Sequence, residues 1–280
     1  MWSIDPPNFT VAETAQLCAR GIRDKALAQR VLDTRDALTS NSDRLRKAVA
    51  EDMMHTLDDT ACPVGPHLSA TEMKALYTGQ LAKRDRPARA HYDRIMSSAP
   101  FGLCIYCQYG CATTLDHVIP KTLVPGLAID PWNLVPCCGP CNHTLGAAHS
   151  LEPDRQFLHP YAMPPLGRWL VGQVREQAPV TVEFFAAPDP DLALHIQQRV
   201  RHQFETLQLA RYFTVVSAQQ ITTTTRTLAR RWNAADHLTV REYLCELAQQ
   251  EAEVDVNNRR AVVFEALADS DWYCREGFLT

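Results

Sequence analysis

Two Cys-x-x-Cys pairs stand near the middle of this 280-residue chain, with thirty residues between them. The pairs are Cys104 with Cys107 and Cys138 with Cys141. In each pair a tight turn directs both sulfurs toward one point, and two such turns supply the four ligands of a closed tetrahedral zinc site. The spacing therefore predicts a structural zinc centre built on an irregular local fold. The alternative is four buried free thiols.

The other six of the ten cysteines lack this spacing. The N-terminus, "MWSIDPPNFT", has no basic start followed by an apolar core, so it does not resemble a signal peptide. We therefore expect a cytoplasmic protein with reduced thiols. No apolar run reaches membrane length, so no membrane partner is expected. The cysteines expected to be bystanders or packing residues are Cys18, Cys62, Cys111, Cys137, Cys245 and Cys274.

Hydrophobic patterning predicts a mainly α-helical chain with a small α+β centre. Residues 1–96 form a helical N-terminal region, and residues 97–165, rich in cysteine, proline and glycine, form a separate central module. Residues 166–280 begin with two strand-like segments, "GRWLVGQV" and "PVTVEFFAA", which predict a short β-hairpin. The remainder of this C-terminal region is helical.

The sequence predicts some helices more clearly than others. A four-residue repeat begins at Leu45, after the capping-type residues Asn41 and Ser42, and predicts a helix that starts there. "ITTTTRTLARRW" is a weaker helix, because threonines are poor helix formers. An apolar stripe that includes Tyr243 and Leu247 predicts an amphipathic helix and a candidate surface for a protein partner.

Charge gives limited guidance about nucleic acid. A net charge of −4 argues against an extended nucleic-acid-binding coat, because phosphate contacts require lysine and arginine, but it permits a local site. The most basic segment, residues 83–94, can follow a DNA backbone or form an ordinary solvated helix face.

The run "LDHVIPK", residues 115–121, lies between the two cysteine pairs. Asp116 supplies the hard oxygen ligand that Mg²⁺ prefers, and His117, the next residue of an extended strand, points to the opposite side. A second ligand is expected from "CNHTLG", which contains Asn142 and His143. Both residues are candidates, and one residue along a helix turns a side chain by about 100°, so at most one of them is expected to face Asp116. An isolated Asp-His pair is more often an ordinary surface turn.

Together, "CIYC", "LDHVIPK" and "WNLVPCCGPCN" resemble the HNH endonuclease family, which has the ββα-metal fold. The resemblance covers roughly residues 100–146. It implies a ββα-metal module that carries a zinc knuckle and is flanked by helical regions. It also implies two metals with different roles, a structural Zn²⁺ and a catalytic Mg²⁺ or Mn²⁺.

The resemblance carries roles over to four positions. Asp116 and Asn142 match the ligands of the catalytic metal, His117 matches the general base, and Asn133 matches the central asparagine that braces the loop. The resemblance thus ranks Asn142 first and His143, about 100° away around the helix, as the alternative ligand. Many members have a lysine where this chain has Leu145, which puts one phosphate contact in doubt.

The resemblance implies a metal-dependent endonuclease that hydrolyses DNA phosphodiester bonds and serves as a bacterial anti-phage defence effector. One alternative is a nuclease subunit active only with a protein partner such as an ATPase. Another is a zinc-knuckle binding module without catalysis, although such a module has no need for the Asp-His-Asn set.

Overall fold

A computed structural model describes residues 1–146 and 148–280 of the chain. The chain is mainly helical, with two small antiparallel sheets of two strands each. It divides into two compact units, unit 1 at residues 1–164 and unit 2 at residues 165–280. The predicted N-terminal region and central module therefore lie within one compact unit. No helix in the described part of the chain combines the length and apolar character that a membrane span requires.

The N-terminal half of unit 1 is a cluster of helices around an apolar core. Thr10 and Ser69 each begin a helix with a capping box, in which the side chain and a glutamate three residues later satisfy free backbone amides. A π-helical turn, Tyr77–Leu81, follows the fourth helix. The helices are α1 (Val11–Gly21), α2 (Lys25–Asp33), α3 (Arg35–Ala50), α4 (Ala70–Leu76) and α5 (Arg89–Met96).

The predicted start of α3 is wrong. The helix begins at Arg35, and Asn41 and Ser42 lie inside it as buried residues instead of capping it. The Asn41 amide donates to the Pro63 carbonyl over 2.8 Å, so this side chain fastens the loop after the helix. A tertiary contact thus explains two polar residues whose type suggested a helix start.

The central part of unit 1 is a strand–loop–strand–helix arrangement. Strand β1 (Thr114–His117) pairs antiparallel with β2 (Leu134–Cys137), so that Asp116 lies opposite Val135. Helix α6 (Gly139–Leu145) follows at once and packs against β1. The pairing brings the segment before β1 beside the start of α6, and each of these places carries one of the cysteine pairs.

Unit 2 begins with the predicted hairpin, which is confirmed: β3 (Leu170–Arg175) pairs antiparallel with β4 (Thr181–Ala186). Helices pack on this hairpin through apolar contacts, including the edge-to-face pair Phe184 and Phe213, whose ring centroids lie 5.6 Å apart. The helices are α7 (Leu194–Thr206), α8 (Leu209–Arg231), α9 (His237–Ala252), α10 (Arg259–Asp269) and α11 (Asp271–Arg275).

The threonine-rich segment forms part of one unbroken helix, α8, of 23 residues. Threonine hydroxyls in this segment find hydrogen-bond acceptors within the helix, as the Thr222 hydroxyl does by donating to the Ala218 carbonyl over 2.8 Å. Packing of the buried residues Phe213, Ile221 and Leu228 outweighs the low helix propensity of the threonines.

The stripe on α9 is only partly buried. Val240 and Leu244 are fully buried, whereas Tyr243 and Leu247 are half-covered. The Tyr243 ring lies against Trp232, with 5.3 Å between ring centroids. A partner-binding surface at Tyr243 and Leu247 stays a prediction.

We expect Asp130→Asn to stabilise unit 1 at pH 8 by about 1–3 kcal/mol. Asp130 is buried, its Oδ1 accepts from the Trp132 amide over 2.9 Å, and burial raises the pKa of its carboxyl to about 6. Asparagine keeps that acceptor without the charge. The cost of the buried charge is full above the folded-state pKa and disappears below about 3.8, so the gain should vanish near pH 4.

Urea unfolding of the wild type and Asp130→Asn at both pH values tests this expectation. Asp85→Asn, at an exposed position, is the matched control and should shift the free energy of unfolding little at either pH. An equal effect of Asp130→Asn at pH 4 and pH 8 would show that the charge of Asp130 is not the cause.

Candidate functional site

The four predicted cysteine ligands come together in one cluster. Their sulfurs all lie within 4.8 Å of one another, and Cys107 Sγ is 3.9 Å from Cys138 Sγ. A tetrahedral zinc with bonds of ~2.3 Å requires sulfur–sulfur separations of ~3.8 Å. All four residues are buried. The cluster is therefore compatible with zinc in donor type, number and spacing.

The backbone of each cysteine turn also favours thiolates. The Gly110 amide donates to Cys107 Sγ over 3.4 Å, and the Cys141 amide donates to Cys138 Sγ over 3.5 Å. Hydrogen bonds within the cluster, that to Cys104 first, lower the pKa of both the Cys107 and the Cys138 thiol, and the same hydrogen-bonded cluster raises the pKa of Cys104 and Cys141. Deprotonated sulfur is the form that binds a metal.

The remaining six cysteines lie outside this cluster. Cys137 is adjacent to Cys138 in the chain and is buried, but its sulfur is not part of the group. Cys111 is exposed although it lies only four residues after Cys107. Burial raises the pKa of Cys18 to about 12, as expected for a thiol that serves as a packing group.

Asp116 is a buried carboxylate with one strong hydrogen bond. It is 4% exposed, and the Tyr106 hydroxyl donates to its Oδ2 over 2.9 Å. Burial raises the pKa of Asp116 to about 6, against the opposite effect of the Tyr106 bond. Tyr106 stands between the two cysteines of the first pair, so the cysteine turn and the Asp-His strand are directly joined.

His117 is held by the loop between the two strands. Its Nε2 donates to the Ala128 carbonyl over 2.9 Å, and the Tyr77 ring meets it edge-on, with 4.4 Å between centroids. Burial lowers the pKa of His117 to about 3, so the ring is neutral at pH 7. With the proton on Nε2, the lone pair is on Nδ1, which accepts no hydrogen bond from any residue the structure describes.

Asn133 joins the two ends of the same loop. Its Oδ1 accepts from the Ile119 amide over 2.7 Å, and its Nδ2 donates to the Ile119 carbonyl over 2.8 Å. Nδ2 also donates to the Leu127 carbonyl over 3.2 Å. The side chain is fully buried, so these bonds replace water and fix the loop that carries Ala128.

Asn142 and His143 lie in the middle of α6, immediately after Cys141. Asn142 is half-buried and His143 is exposed. Because α6 packs against β1, this part of the helix is near the Asp-His strand. Greater exposure of His143 agrees with Asn142 as the first-ranked ligand, and the assignment stays a prediction.

Three further residues lie around this site, and sequence reasoning missed two of them, Tyr106 and Tyr77. Tyr106 bonds Asp116, Tyr77 contacts His117, and Lys121 lies with its Nζ 5.0 Å from the centroid of the Tyr77 ring. Lys121 also favours the charged form of Asp116. The tyrosine between the two cysteines was a visible signal for the first of these contacts. Tyr77 comes from a distant helical segment, and no local pattern identifies it.

Comparison with known proteins gives a relative but no family assignment. Over 175 residues the chain is 25% identical to Protein ea31 of Escherichia phage lambda, a match that covers 61% of this chain. The chain spans 58% of the length of that relative. No family model matches the chain, and no solved structure matches it.

Proposed function

We propose that this chain is a metal-dependent endonuclease with an HNH-type centre, and that it hydrolyses phosphodiester bonds in DNA. The observation that carries the proposal is the placement of His117: its ring is anchored through Nε2 beside a buried carboxylate, on a two-stranded sheet followed by a helix. A neutral imidazole in a fixed orientation is the form needed for a general base.

His117 accepts the proton in the proposed reaction. As a water oxygen forms a bond to phosphorus, its proton passes to His117 Nδ1 and the bond from phosphorus to the 3′ oxygen breaks. The Ala128 carbonyl holds the other ring nitrogen, and Asn133 holds the loop that presents this carbonyl. The two bonds together keep the imidazole in one tautomer.

Asp116 and Asn142 supply oxygen donors suited to Mg²⁺ or Mn²⁺. Asp116 fits this role because the groups around its buried carboxylate are neutral donors, the Tyr106 hydroxyl and the His117 amide, and the more distant charge of Lys121. A bound divalent ion supplies charge stabilisation at the phosphate and the leaving oxygen. Tyr106 orients the carboxylate and connects it to the cysteine cluster, in the manner of an outer-shell partner.

The metal dependence of cleavage in single variants tests the ligand assignment. Asp116→Ala and Asn142→Ala should each need at least ~10-fold more Mn²⁺ for half-maximal rate than the wild type. His143→Ala, at the next position of α6, is the matched control and should keep the wild-type dependence. The opposite result for Asn142 and His143 would make His143 the ligand.

A defence role, alone or as a subunit beside an ATPase, is the part of the proposal that rests on the family resemblance only. A chain that cleaves DNA only after a partner is added would support the subunit alternative. A chain that binds zinc and nucleic acid but never cleaves would support the non-catalytic module.

A further inference from the structure

Helix α8 in unit 2 has an unusual charge distribution. Residues 194–231, which contain α7 and α8, carry six arginines, no lysine and one acidic residue, Glu205. Within α8 itself there is no acidic residue at all. The whole chain has a net charge of −4, so positive charge is concentrated in this segment.

The fold presents much of this charge on one face of α8. The buried side of the helix contains Leu209, Phe213, Ser217, Ile221 and Leu228. The exposed side chains follow the opposite helical period and include three arginines, a glutamine, a valine and small or hydroxylated residues. This group, named the α8 face, consists of Arg211, Val215, Ala218, Gln219, Thr222, Arg226, Ala229 and Arg230.

The arginines of the α8 face have no partner within the described residues. No ion pair or hydrogen bond engages the side chain of Arg211, Arg226 or Arg230 anywhere in residues 1–146 and 148–280. Arg226 and Arg230 are four residues apart on this face, so their charges repel unless an anion neutralises them.

The basic segment at residues 83–94 is different, because three of its four arginines are used inside unit 1. Arg86 donates to the Gly21 carbonyl over 2.9 Å, and Arg89 pairs with Asp93 over 2.8 Å. Arg94 bonds Asn8 and lies over the Phe9 ring. The segment that the sequence marks as most basic is thus largely structural, whereas the α8 face has three exposed arginines with no acidic residue on the same helix.

The composition of the α8 face distinguishes between classes of partner. Protein interfaces depend on buried aromatic and apolar anchors, and the large apolar residue of this face is a single valine, Val215. A membrane-surface helix needs an apolar face toward the lipid, which α8 has already buried in unit 2. Guanidinium groups over a straight helix of about 34 Å fit a regularly spaced row of phosphates.

We propose that the α8 face is a second nucleic-acid-binding surface, which holds a phosphate backbone without reading its sequence. The proposal concerns unit 2 and goes beyond the proposed nuclease centre of unit 1. It explains how a chain of net negative charge can hold DNA, because α8 carries arginines and no acidic residue.

Binding should be measured in full-length protein carrying His117→Ala, by fluorescence anisotropy of a labelled duplex and a labelled single strand without added Mg²⁺. The test variant adds Arg211→Gln, Arg226→Gln and Arg230→Gln. The matched control adds Arg20→Gln, Arg23→Gln and Lys25→Gln, three exposed basic residues of unit 1 that give the same change in charge. A third variant has lysine at the three α8 positions.

The α8 glutamine variant should bind both probes roughly 10- to 100-fold more weakly. The slope of its salt dependence should be shallower by about 0.9 for each duplex phosphate that the variant no longer neutralises. The control and the lysine variant should bind like the parent. Equal losses of DNA affinity in the test and control variants would show that only the net charge matters, and would overturn the proposal. A parent that binds neither probe would also overturn it.

Light scattering of the same variants tests whether the α8 face binds a second copy of the chain instead of DNA. If the glutamine variant changes the oligomeric state and leaves DNA binding intact, the α8 face joins copies of the chain and the proposal fails. Binding through α8 by a chain that never cleaves would support this inference and contradict the proposed nuclease. Cleavage by a chain whose DNA binding does not depend on α8 would support the proposed nuclease and contradict this inference.

Discussion

Replacing His117 with alanine is expected to lower the rate of DNA cleavage by about 10²- to 10⁴-fold, the usual contribution of a general base. The loss follows because the proposed reaction passes the proton of the attacking water to His117 Nδ1, a group that alanine lacks. Zinc content should stay at the wild-type level, since His117 is not part of the cysteine cluster. Cleavage rates under saturating Mn²⁺ measure the effect directly.

His67→Ala is a suitable control for this prediction, because His67 is an exposed histidine in a loop of the same unit. It should cleave at the wild-type rate. Circular dichroism and metal analysis of both variants separate a catalytic loss from a folding defect. Wild-type cleavage by His117→Ala would remove the basis of the proposed mechanism.

Replacing Cys107 with serine is expected to abolish stoichiometric zinc and to destabilise unit 1 by at least ~3 kcal/mol, as loss of a structural metal does. The cluster lies where the chain before β1 meets the start of α6, so a zinc held by the four sulfurs would link these two segments. Metal analysis and urea unfolding of the purified variant give the two readouts.

Cys111→Ser provides the comparison, since it makes the same chemical change four residues away at an exposed cysteine outside the cluster. That variant should keep its zinc and its stability. If wild-type protein contains no zinc, or if the four thiols are paired as disulfides, the metal assignment is wrong.

The sequence predicts those parts of the fold that depend on local spacing. The four ligands could be identified because a Cys-x-x-Cys turn imposes its own geometry, and two such turns converge once the strands pair. The hairpin of unit 2 was also predictable, since both strands and their turn are contiguous in the chain. In each case the signal and the structure it specifies lie within a short segment.

What the sequence could not predict depends on contacts between distant segments. The start of α3 was misplaced because Asn41 bonds a loop that follows the helix, a contact that residue type alone does not reveal. The contact of Tyr77 with His117 likewise joins segments forty residues apart. Charge runs were misleading for a related reason, because the residues 83–94 look free in sequence and are engaged by their own unit.

The most direct test is a time course of supercoiled plasmid with purified, zinc-loaded wild-type protein, with and without added Mg²⁺ or Mn²⁺. The account predicts nicked and linear DNA only when the divalent metal is added, with 3′-hydroxyl and 5′-phosphate ends. Cleavage at the same rate without added metal would contradict the proposed site. So would intact plasmid under all conditions, from protein with full zinc content and a cooperative unfolding transition.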